Sequence, residues 1–206
     1  MSPGKRALDL VLALGLAVLL APVLAVLLVV LALTEGRPLF YVSERMRSPT
    51  RAFGLVKLRT MPTGADKVGG VTGGDKQRSL SRMHRLLRRS RADEIPQLWN
   101  VIRGDMSLVG PRPPLRRYVE DYPQIYGAVL RSRPGITGLA SLTFHAHEER
   151  LLAACTTAQD TEAVYRRRCI PRKARLDLIY AARRSLCWDL ALIGQTALKP
   201  FRRDQT

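Results

Sequence analysis

The chain has 206 residues, with 34 lysines and arginines against 17 aspartates and glutamates, and a formal net charge of +17 at pH 7. This positive surplus favours negatively charged partners, namely an anionic membrane surface, a phosphorylated substrate or nucleic acid. An apolar N-terminal segment favours the membrane surface and the phosphorylated substrate over nucleic acid. No aromatic-rich or zinc-type nucleic-acid signature is present. Three cysteines without a C-x-x-C pair indicate free thiols in a reducing compartment rather than a disulfide framework or a zinc site.

The first predicted element is an apolar helix from Leu10 to Leu33, which contains no charged side chain. As one straight helix it would extend about 36 Å, enough to cross a hydrocarbon core of about 30 Å. Pro22 near the middle favours a kink instead. Basic residues flank both ends and favour placing both on the cytoplasmic face: Lys5, Arg6, Arg37, Arg45 and Arg47. A single span stays open, but a re-entrant helix-break-helix satisfies the kink and the charges together.

After this membrane segment, residues 1–36, the remainder 37–206 is predicted to form one basic domain. Its first element is a short β-hairpin, with strands at Pro38–Val42 and Ala52–Arg59 and a turn within the polar stretch Arg47–Arg51. Residues 62–76 contain five glycines, which predicts a loop.

Two amphipathic helices are predicted from apolar residues spaced three or four apart. The first is rich in arginine and is defined by Leu80, Met83 and Leu87. The second lies near the C-terminus, has Arg183 and Arg184 on its polar flank, and is defined by Ile179, Ala182, Leu186, Leu190 and Ile193. A helix in a membrane interface and a helix packed on the domain core both produce this pattern. The predicted fold class is α+β, dominated by helices.

The stretch from Arg88 to Pro113 is the most informative part of the chain. A helix is predicted to start with Asp93 as its N-cap and to end at Gly104. Asp93 and Glu94 then lie at the positive end of a helix dipole, where phosphate also binds. Mg2+ is commonly held by one or two carboxylates together with substrate phosphates. The residues alone also fit a simple helix cap, so both roles stay open.

The same stretch closely resembles the bacterial sugar transferases, the monotopic phosphoglycosyl transferase superfamily. Its central block reads Asp93-Glu94-x-Pro96-Gln97-Leu98, then Gly104-Asp105-Met106-Ser107-Leu108-Val109-Gly110-Pro111-Arg112-Pro113. Further matches are Lys5-Arg6, Glu44-Arg45, Lys57-Leu58-Arg59-Thr60-Met61 and Arg133-Pro134-Gly135-Ile136-Thr137-Gly138-Leu139-Ala140. The resemblance covers nearly the whole chain.

The resemblance implies a monotopic enzyme on the cytoplasmic face of the bacterial inner membrane, with a re-entrant helix at 1–36 and a catalytic domain at 37–206. It implies transfer of a sugar-1-phosphate from a UDP-sugar to polyprenol (undecaprenyl) phosphate, the first membrane step of a glycoconjugate pathway. Asp93 would attack the sugar-proximal phosphate and release UMP, and polyprenol phosphate would then take the phosphosugar from the aspartyl intermediate. Mg2+ is the implied cofactor, beside Asp93 and Glu94. Anionic lipid is a further expected partner and nucleic acid is not.

Four basic residues match positions around the family's site and are the predicted phosphate-binding residues: Lys57, Arg59, Arg88 and Arg112. The chain departs from the family pattern in two places. Arg91-Ala92 replaces the common Ser-Leu, and residues 144–173 look inserted, so nucleotide contacts are not carried over there.

Two other functions compete with the transferase. One is a phosphohydrolase in which water resolves the aspartyl-phosphate, although water needs no apolar anchor. The other is a membrane-anchored basic binding protein, which would not require the block from Asp93 to Pro113. The sequence leaves the transferred sugar open.

Overall fold

The structure is a computed structural model of the chain, described over residues 1–61 and 81–198. The predicted loop at 62–76 and Leu80 lie outside these residues. Helices dominate the described part, as predicted. In chain order the elements are α1 (Pro3–Thr34), β1 (Phe40–Ser48), β2 (Arg51–Leu58), α2 (Arg82–Ser90), a 3-10 turn (Ala92–Glu94), α3 (Gln97–Arg103), β3 (Ser107–Val109), α4 (Arg116–Asp121), α5 (Pro123–Val129), β4 (Gly135–Thr137), α6 (Leu139–Thr143), α7 (His145–Ala153), α8 (Ala158–Val164), a π-helical turn (Tyr165–Cys169), α9 (Ile170–Arg183) and α10 (Leu186–Leu198).

Helix α1 is one continuous helix of 32 residues that runs through Pro22. The chain is therefore not divided into two separate helices at Pro22, and re-entry through a kink at this proline stays a prediction. Proline removes one intrahelical hydrogen bond, and the uninterrupted Leu, Val and Ala turns on either side keep the remaining ones. By length and composition α1 is long and apolar enough to cross a membrane, with a mean hydropathy of 3.2 in its most apolar window.

Helix α1 has two different apolar faces. One packs against the rest of the chain along nearly its whole length, through Ala13 and Leu31, which are buried, and the partly buried Leu12, Leu16, Ala17, Leu20, Leu24, Leu27 and Leu28. The other face is exposed and consists of Val11, Leu14, Val18, Leu19, Val23, Val26, Val29 and Leu33. A helix that is apolar all round needs protein on one side and an apolar environment on the other.

Polar contacts hold the beginning of α1 to the domain through three residues, which we call the N-terminal anchor: Lys5, Arg6 and Asp9. The Lys5 ammonium donates to Asp189 of α10 at 2.6 Å. Arg6 donates to two carbonyls in the last turn of α3, those of Val101 and Ile102, at 2.7 and 2.8 Å. Asp9 accepts from the backbone amide of Leu108 in β3 at 3.2 Å. These partners belong to the domain that also packs, through Leu58 and Leu87, against Leu31 near the C-terminal end of α1.

The predicted β-hairpin is confirmed, with β1 and β2 paired antiparallel from Phe40 opposite Leu58 to Met46 opposite Ala52. The first strand runs on to Ser48, further than predicted, because a bulge follows Met46. A second sheet, the parallel pair β3–β4, was not predicted, since strands of three residues show too little alternation to be recognised.

At β3 and β4, the backbone around Gly110 passes unusually close to the backbone around Gly135 and Gly138. A Cβ atom at Gly110, Gly135 or Gly138 would overlap backbone atoms of the opposite segment. Only glycine permits this approach. The crossing fixes where the chain leaves β3 toward Pro111 and Arg112.

The C-terminal prediction is wrong in one respect, because α9 and α10 are separate helices divided at Arg184 and Ser185. Most of the predicted apolar stripe is exposed: Ile179, Ala182, Leu186 and Leu190. The buried face instead contains Ile170, Ala174, Asp177, Tyr180, Asp189 and Leu192. Two buried aspartates, Asp177 and Asp189, interrupt the hydrophobic pattern of the buried face. The spacing of apolar residues therefore led to the exposed face being predicted as the packed one. In α2 the prediction is confirmed, since Leu87 is buried and Met83 is partly buried.

Candidate active site

Asp93 is positioned by a tight turn rather than by the start of an α-helix. It lies in the 3-10 turn Ala92–Glu94, which follows Arg91 in a left-handed conformation with φ of 57°. Helix α3 begins only at Gln97, and the N-cap prediction for Asp93 is therefore wrong. The turn is closed by short-range bonds such as Glu94 N–H to the Arg91 carbonyl, at 3.0 Å. The predicted end of α3 at Gly104, with φ of 88°, is confirmed.

Three elements bring basic side chains to this turn. Arg112, after β3, donates to Glu94 Oε1 at 2.8 Å. Arg88, at the end of α2, donates to Thr60 at 3.0 Å and acts electrostatically on Asp93. Lys57 of β2 also acts on Asp93, and its ammonium lies 5.5 Å from the ring centroid of Tyr41. Three of the four predicted phosphate-binding residues thus surround the carboxylate pair.

The two carboxylates of the pair have different ionisation properties. Asp93 is 8% exposed, and burial together with the charge of Glu94 raises its pKa to about 6. Burial also acts to raise the pKa of Glu94, but the charge and hydrogen bond of Arg112 outweigh it and hold that pKa below its usual value. At neutral pH both are ionised, and Asp93 is the more basic.

The pair has free capacity for a cation. Within the described residues, the Glu94 Oε2 atom is buried without a hydrogen-bond partner. No group of three His, Cys, Asp or Glu side chains suitable for a metal is present in the same part of the chain. This donor set fits Mg2+, which binds one or two carboxylates and completes its shell with phosphate and water oxygens. It does not fit a closed cage made of protein ligands alone.

Arg59 has a different environment from the other predicted phosphate-binding residues. Its guanidinium donates to the carbonyls of Glu35, Gly36 and Pro38, and so joins the end of α1 to the hairpin. No contact within the described residues links it to Asp93. A phosphate-binding role for Arg59 stays a prediction, with three of its five N–H donors engaged in these contacts.

Arg45 belongs to the cluster although it is not among the predicted phosphate-binding residues. Burial and the charge of Arg112 lower its pKa to about 10, and its charge in turn lowers the pKa of Lys57. Its hydrogen bonds to Ser43 and Pro113 are long, 3.4 Å each, and no carboxylate pairs with it in the described part of the chain. Strand alternation was an available signal, since it places residues 41, 43 and 45 on one face, opposite Lys57.

Residues 144–173, which depart from the family pattern, fold into α7, α8, the π-helical turn and the start of α9. Within this segment, Lys173 pairs with Glu148 at 2.9 Å and donates to the Tyr165 hydroxyl at 3.5 Å. A cavity of about 560 Å³ also lies here, and its lining includes His147 and Arg150. None of the predicted site residues lines that cavity.

A helix-dominated basic chain with one long apolar helix and an Asp-Glu pair among arginines and lysines is typical of membrane-associated enzymes that act on phosphates. The family model of the bacterial sugar transferases matches residues 2–203. The chain therefore belongs to the bacterial sugar transferase family.

Several characterised or named relatives are similar over about two thirds of the chain. UDP-glucose:undecaprenyl-phosphate glucose-1-phosphate transferase of Caulobacter vibrioides is 39% identical over 145 residues, which cover 67% of this chain and 53% of that protein. UDP-N-acetylgalactosamine-undecaprenyl-phosphate N-acetylgalactosaminephosphotransferase of Aeromonas hydrophila is 31% identical over 67% of this chain and 33% of that protein. Exopolysaccharide production protein ExoY of Sinorhizobium fredii is 31% identical, over 66% of each chain. The chain thus spans only part of the length of these relatives.

Proposed function

We propose that this chain transfers a sugar-1-phosphate from a UDP-sugar to polyprenol phosphate, such as undecaprenyl phosphate, at the cytoplasmic face of the bacterial inner membrane. The observation that carries the proposal is the buried Asp93, which has a pKa of about 6 and lies among basic side chains next to the unsatisfied oxygen of Glu94. The names of the two undecaprenyl-phosphate transferases among its relatives support the same substrate classes.

In the first step, an Asp93 carboxylate oxygen attacks the sugar-proximal phosphorus of the UDP-sugar. The bond from that phosphorus to the bridging oxygen breaks, and UMP leaves with the electron pair. An aspartyl phosphosugar remains on the enzyme. A carboxylate nucleophile divides one difficult phosphoryl transfer into two easier ones.

In the second step, a phosphate oxygen of polyprenol phosphate attacks the same phosphorus. The bond to Asp93 breaks, its carboxylate is restored, and the product is a polyprenol diphosphate sugar. The ionised Glu94, held by Arg112, is suited to receive a proton from the acceptor phosphate, because its second oxygen has no other partner within the described residues. Mg2+, when bound by Asp93 and Glu94, would supply positive charge for the phosphate oxygens.

The charge of the cluster matches a diphosphate. Arg45, Lys57, Arg88 and Arg112 contribute four positive charges against two from the carboxylates, as the mutual influences on their pKa values indicate. The surplus of two suits a substrate that brings at least two negative charges. Cations fixed in a partly buried site stabilise charge that develops on the leaving phosphate without reorganising during the reaction.

The proposed membrane arrangement is a re-entrant α1, residues 1–36, followed by a cytoplasmic catalytic domain, residues 37–206. The contacts of both ends of α1 with one body support it, since a transbilayer helix would carry its ends to opposite sides. Exposed apolar residues that suit lipid also occur outside α1, at Leu86, Trp99, Leu178, Leu186 and Leu190. The basic surplus of the domain suits anionic headgroups.

The test is UMP release by membranes that contain the full chain, with polyprenol phosphate, Mg2+ and a panel of UDP-sugars. We expect Asp93→Asn to abolish UMP release even in a single turnover, a loss of several orders of magnitude. Glu120→Gln, which neutralises an exposed carboxylate outside the cluster, is the matched control and keeps its activity. An Asp93→Asn variant with a tenth of the original rate would remove Asp93 from the role of nucleophile.

The same assay separates the two other functions considered from the sequence. A phosphohydrolase would release free sugar phosphate without polyprenol phosphate. A binding protein would retain its affinity for the anionic membrane and release no UMP from any donor.

A further inference from the structure

A second group of basic side chains lies beside the start of α1, apart from the cluster around Asp93. A cavity of about 290 Å³ opens here, far larger than the roughly 10–15 Å³ that one water molecule requires. Its lining includes Met1, Ser48 and four arginines from the tip of the β-hairpin and the loop between α5 and β4: Arg47, Arg51, Arg131 and Arg133. We call this cavity the arginine pocket.

The arginine pocket is separate from the candidate active site. At one end of the β-hairpin Tyr41 pairs with Lys57, which acts on Asp93. At the other end Ser48 pairs with Arg51, and both line the pocket. From Tyr41 to Ser48 the strand extends roughly 20 Å. A ligand of the arginine pocket therefore differs from the diphosphate that is proposed to bind beside Asp93.

The positive charges of the pocket have no counter-charge in the described part of the chain. None of the four guanidinium groups takes part in a salt bridge or donates a hydrogen bond within residues 1–61 and 81–198. Most arginines of the candidate active site, by contrast, have a carboxylate or carbonyl partner there. Four like charges around one cavity favour an anion inside it.

Arg133 is the least exposed of the four and joins the pocket to the N-terminal anchor. A Cβ atom at Gly104 would lie 3.3 Å from Arg6 Nη2 and 3.7 Å from Arg133 Nη1, so the two guanidinium groups are near neighbours. Arg6 uses its donors on the carbonyls of α3, whereas those of Arg133 remain available within the described residues. Burial, followed by the charges of Arg47 and Arg6, lowers the pKa of Arg133.

The location of the pocket favours a ligand in the membrane surface. Met1 lines the pocket and stands two residues before α1 begins at Pro3. The exposed apolar face of α1 starts at Val11, about 12 Å further along the helix. In the proposed re-entrant arrangement lipid tails cover that face. The pocket then lies at the level of the lipid headgroups.

We propose that the arginine pocket binds the phosphate of an anionic phospholipid headgroup and so holds the start of α1 at the cytoplasmic membrane surface. The proposal rests on the re-entrant arrangement within the proposed function and involves no step of the transfer reaction. Guanidinium groups suit this ligand, because their paired N–H donors match two phosphate oxygens. A zwitterionic headgroup suits it less, since it would bring a cation of its own beside the arginines.

The experiment uses the full chain in a neutral detergent, without donor sugar or polyprenol phosphate. The probes are dioleoylphosphatidylglycerol, zwitterionic dioleoylphosphatidylcholine and inorganic phosphate. Native mass spectrometry counts the lipids retained, and the melting temperature is followed against the concentration of each probe. The pocket variant combines Arg51→Gln with Arg131→Gln, two exposed residues. The matched control combines Arg167→Gln with Arg172→Gln, which removes the same charge from exposed positions elsewhere.

We expect one phosphatidylglycerol to be retained per chain and to raise the melting temperature, because a ligand that binds only the folded chain stabilises it. The pocket variant should bind this lipid at least about tenfold more weakly, since it loses two charge-assisted contacts. The control should bind it as the unmodified chain does. Without lipid, the melting temperature of the pocket variant should not fall, because the removed charges have no partner in the described residues.

Three results would overturn the proposal and leave the transferase standing. Equal stabilisation by phosphatidylcholine would remove the need for an anionic headgroup. Equal weakening in the pocket variant and the control would indicate attraction by general surface charge. Stabilisation by inorganic phosphate as strong as that by phosphatidylglycerol would assign the pocket to a soluble anion. By contrast, a chain that binds phosphatidylglycerol as expected but releases no UMP from any donor would overturn the transferase and leave the arginine pocket.

Discussion

Asp93 experiences opposing influences that leave it both ionised and basic. Burial and Glu94 raise its pKa to about 6, while Lys57, Arg88 and Arg112 limit the rise. A group with this pKa is about nine tenths ionised at pH 7. It is also a stronger nucleophile than an ordinary aspartate, since basicity and nucleophilicity rise together within one type of group.

These ionisations predict a bell-shaped dependence of UMP release on pH. Below pH 6 the Asp93 carboxylate gains a proton, so the single-turnover rate should fall about tenfold per pH unit. Above pH 8 Lys57 loses its charge, because burial lowers its pKa to about 8, and binding of the diphosphate should weaken.

Lys57→Arg tests the assignment of the alkaline limb. Arginine keeps its charge throughout this range, so the alkaline fall should move to higher pH while the acid limb stays near 6. An alkaline limb that does not move in this variant would show that another group is responsible.

Metal removal provides a second test at the level of single side chains. We expect excess chelator to stop UMP release and added Mg2+ to restore it, because two adjacent carboxylates face the proposed diphosphate. Glu94→Gln should raise the Mg2+ concentration required for half-maximal rate. Full turnover in chelator would contradict the metal requirement and leave Asp93 as the proposed nucleophile.

Much of the site was predictable from the order of residues. Asp93, Glu94, Lys57, Arg88 and Arg112 come together as the resemblance implied. The participation of Arg45 was not predicted, although the pairing of β1 with β2 puts Arg45 on the same face of the hairpin as Lys57, with Tyr41 directly opposite that lysine. The turn around Asp93 was also mistaken for a helix start, since an aspartate three positions before Pro96 is compatible with a helix N-cap as well as with a turn.

At the level of elements, the N-terminal anchor joins the beginning of α1 to α3, β3 and α10. One of its contacts is a buried ion pair, Lys5–Asp189, exposed by 8% and 2%. Asp189 also accepts from the hydroxyl of Tyr180 at 2.6 Å. The contact between Lys5 and Asp189 was not predicted, because 184 positions separate the two residues in the chain. Buried polar pairs of this kind cannot be read from local periodicity.

Asp189→Ala should destabilise the protein by about 3–5 kcal/mol, because it leaves the Lys5 ammonium buried without its counter-charge. The double variant Lys5→Met with Asp189→Leu should recover most of that loss, since a well-packed apolar pair avoids the desolvation cost. Thermal unfolding of the solubilised chain measures both. Losses that simply add in the double variant would show that the two residues are not coupled.

The exposed faces of α9 and α10 illustrate why helices are easier to predict than their orientation. Periodicity located helical segments here, but the buried face carries Asp177 and Asp189 and the exposed face carries Leu186 and Leu190. In a protein surrounded only by water, such an exposed apolar face would be unfavourable. Hydrophobic periodicity cannot distinguish core from lipid, because both are apolar.

For the molecule as a whole, the decisive feature is that both ends of α1 contact one body. Thirty-two helical residues extend about 48 Å if straight, more than the thickness of a hydrocarbon core. Lys5 contacts α10 near the beginning, and Leu31 packs with Leu58 and Leu87 near the end. A domain on one side of a bilayer can satisfy both sets of contacts only if α1 does not cross.

This predicts the side from which each end can be labelled. In a variant without its native cysteines, Ser2→Cys and Glu149→Cys should both react with an impermeant reagent from the cytoplasmic side alone. Glu149 lies on α7 and is exposed, so it reports the side of the domain. Labelling of the two positions from opposite sides would contradict the re-entrant arrangement and leave the Asp93 chemistry unaffected.

The Lys5–Asp189 contact also sets an order of events during synthesis. The ribosome adds about 5–20 residues per second, so Lys5 precedes its partner by roughly 10–40 s. For most of this interval α1 has been synthesised while α10 has not. In the proposed re-entrant arrangement, the positive charges of Lys5 and Arg6 then favour the cytoplasmic side for the helix start before the Asp189 partner is made. The proposed arrangement thus gives this lysine two roles in succession, first as a topology signal and later as half of a buried pair.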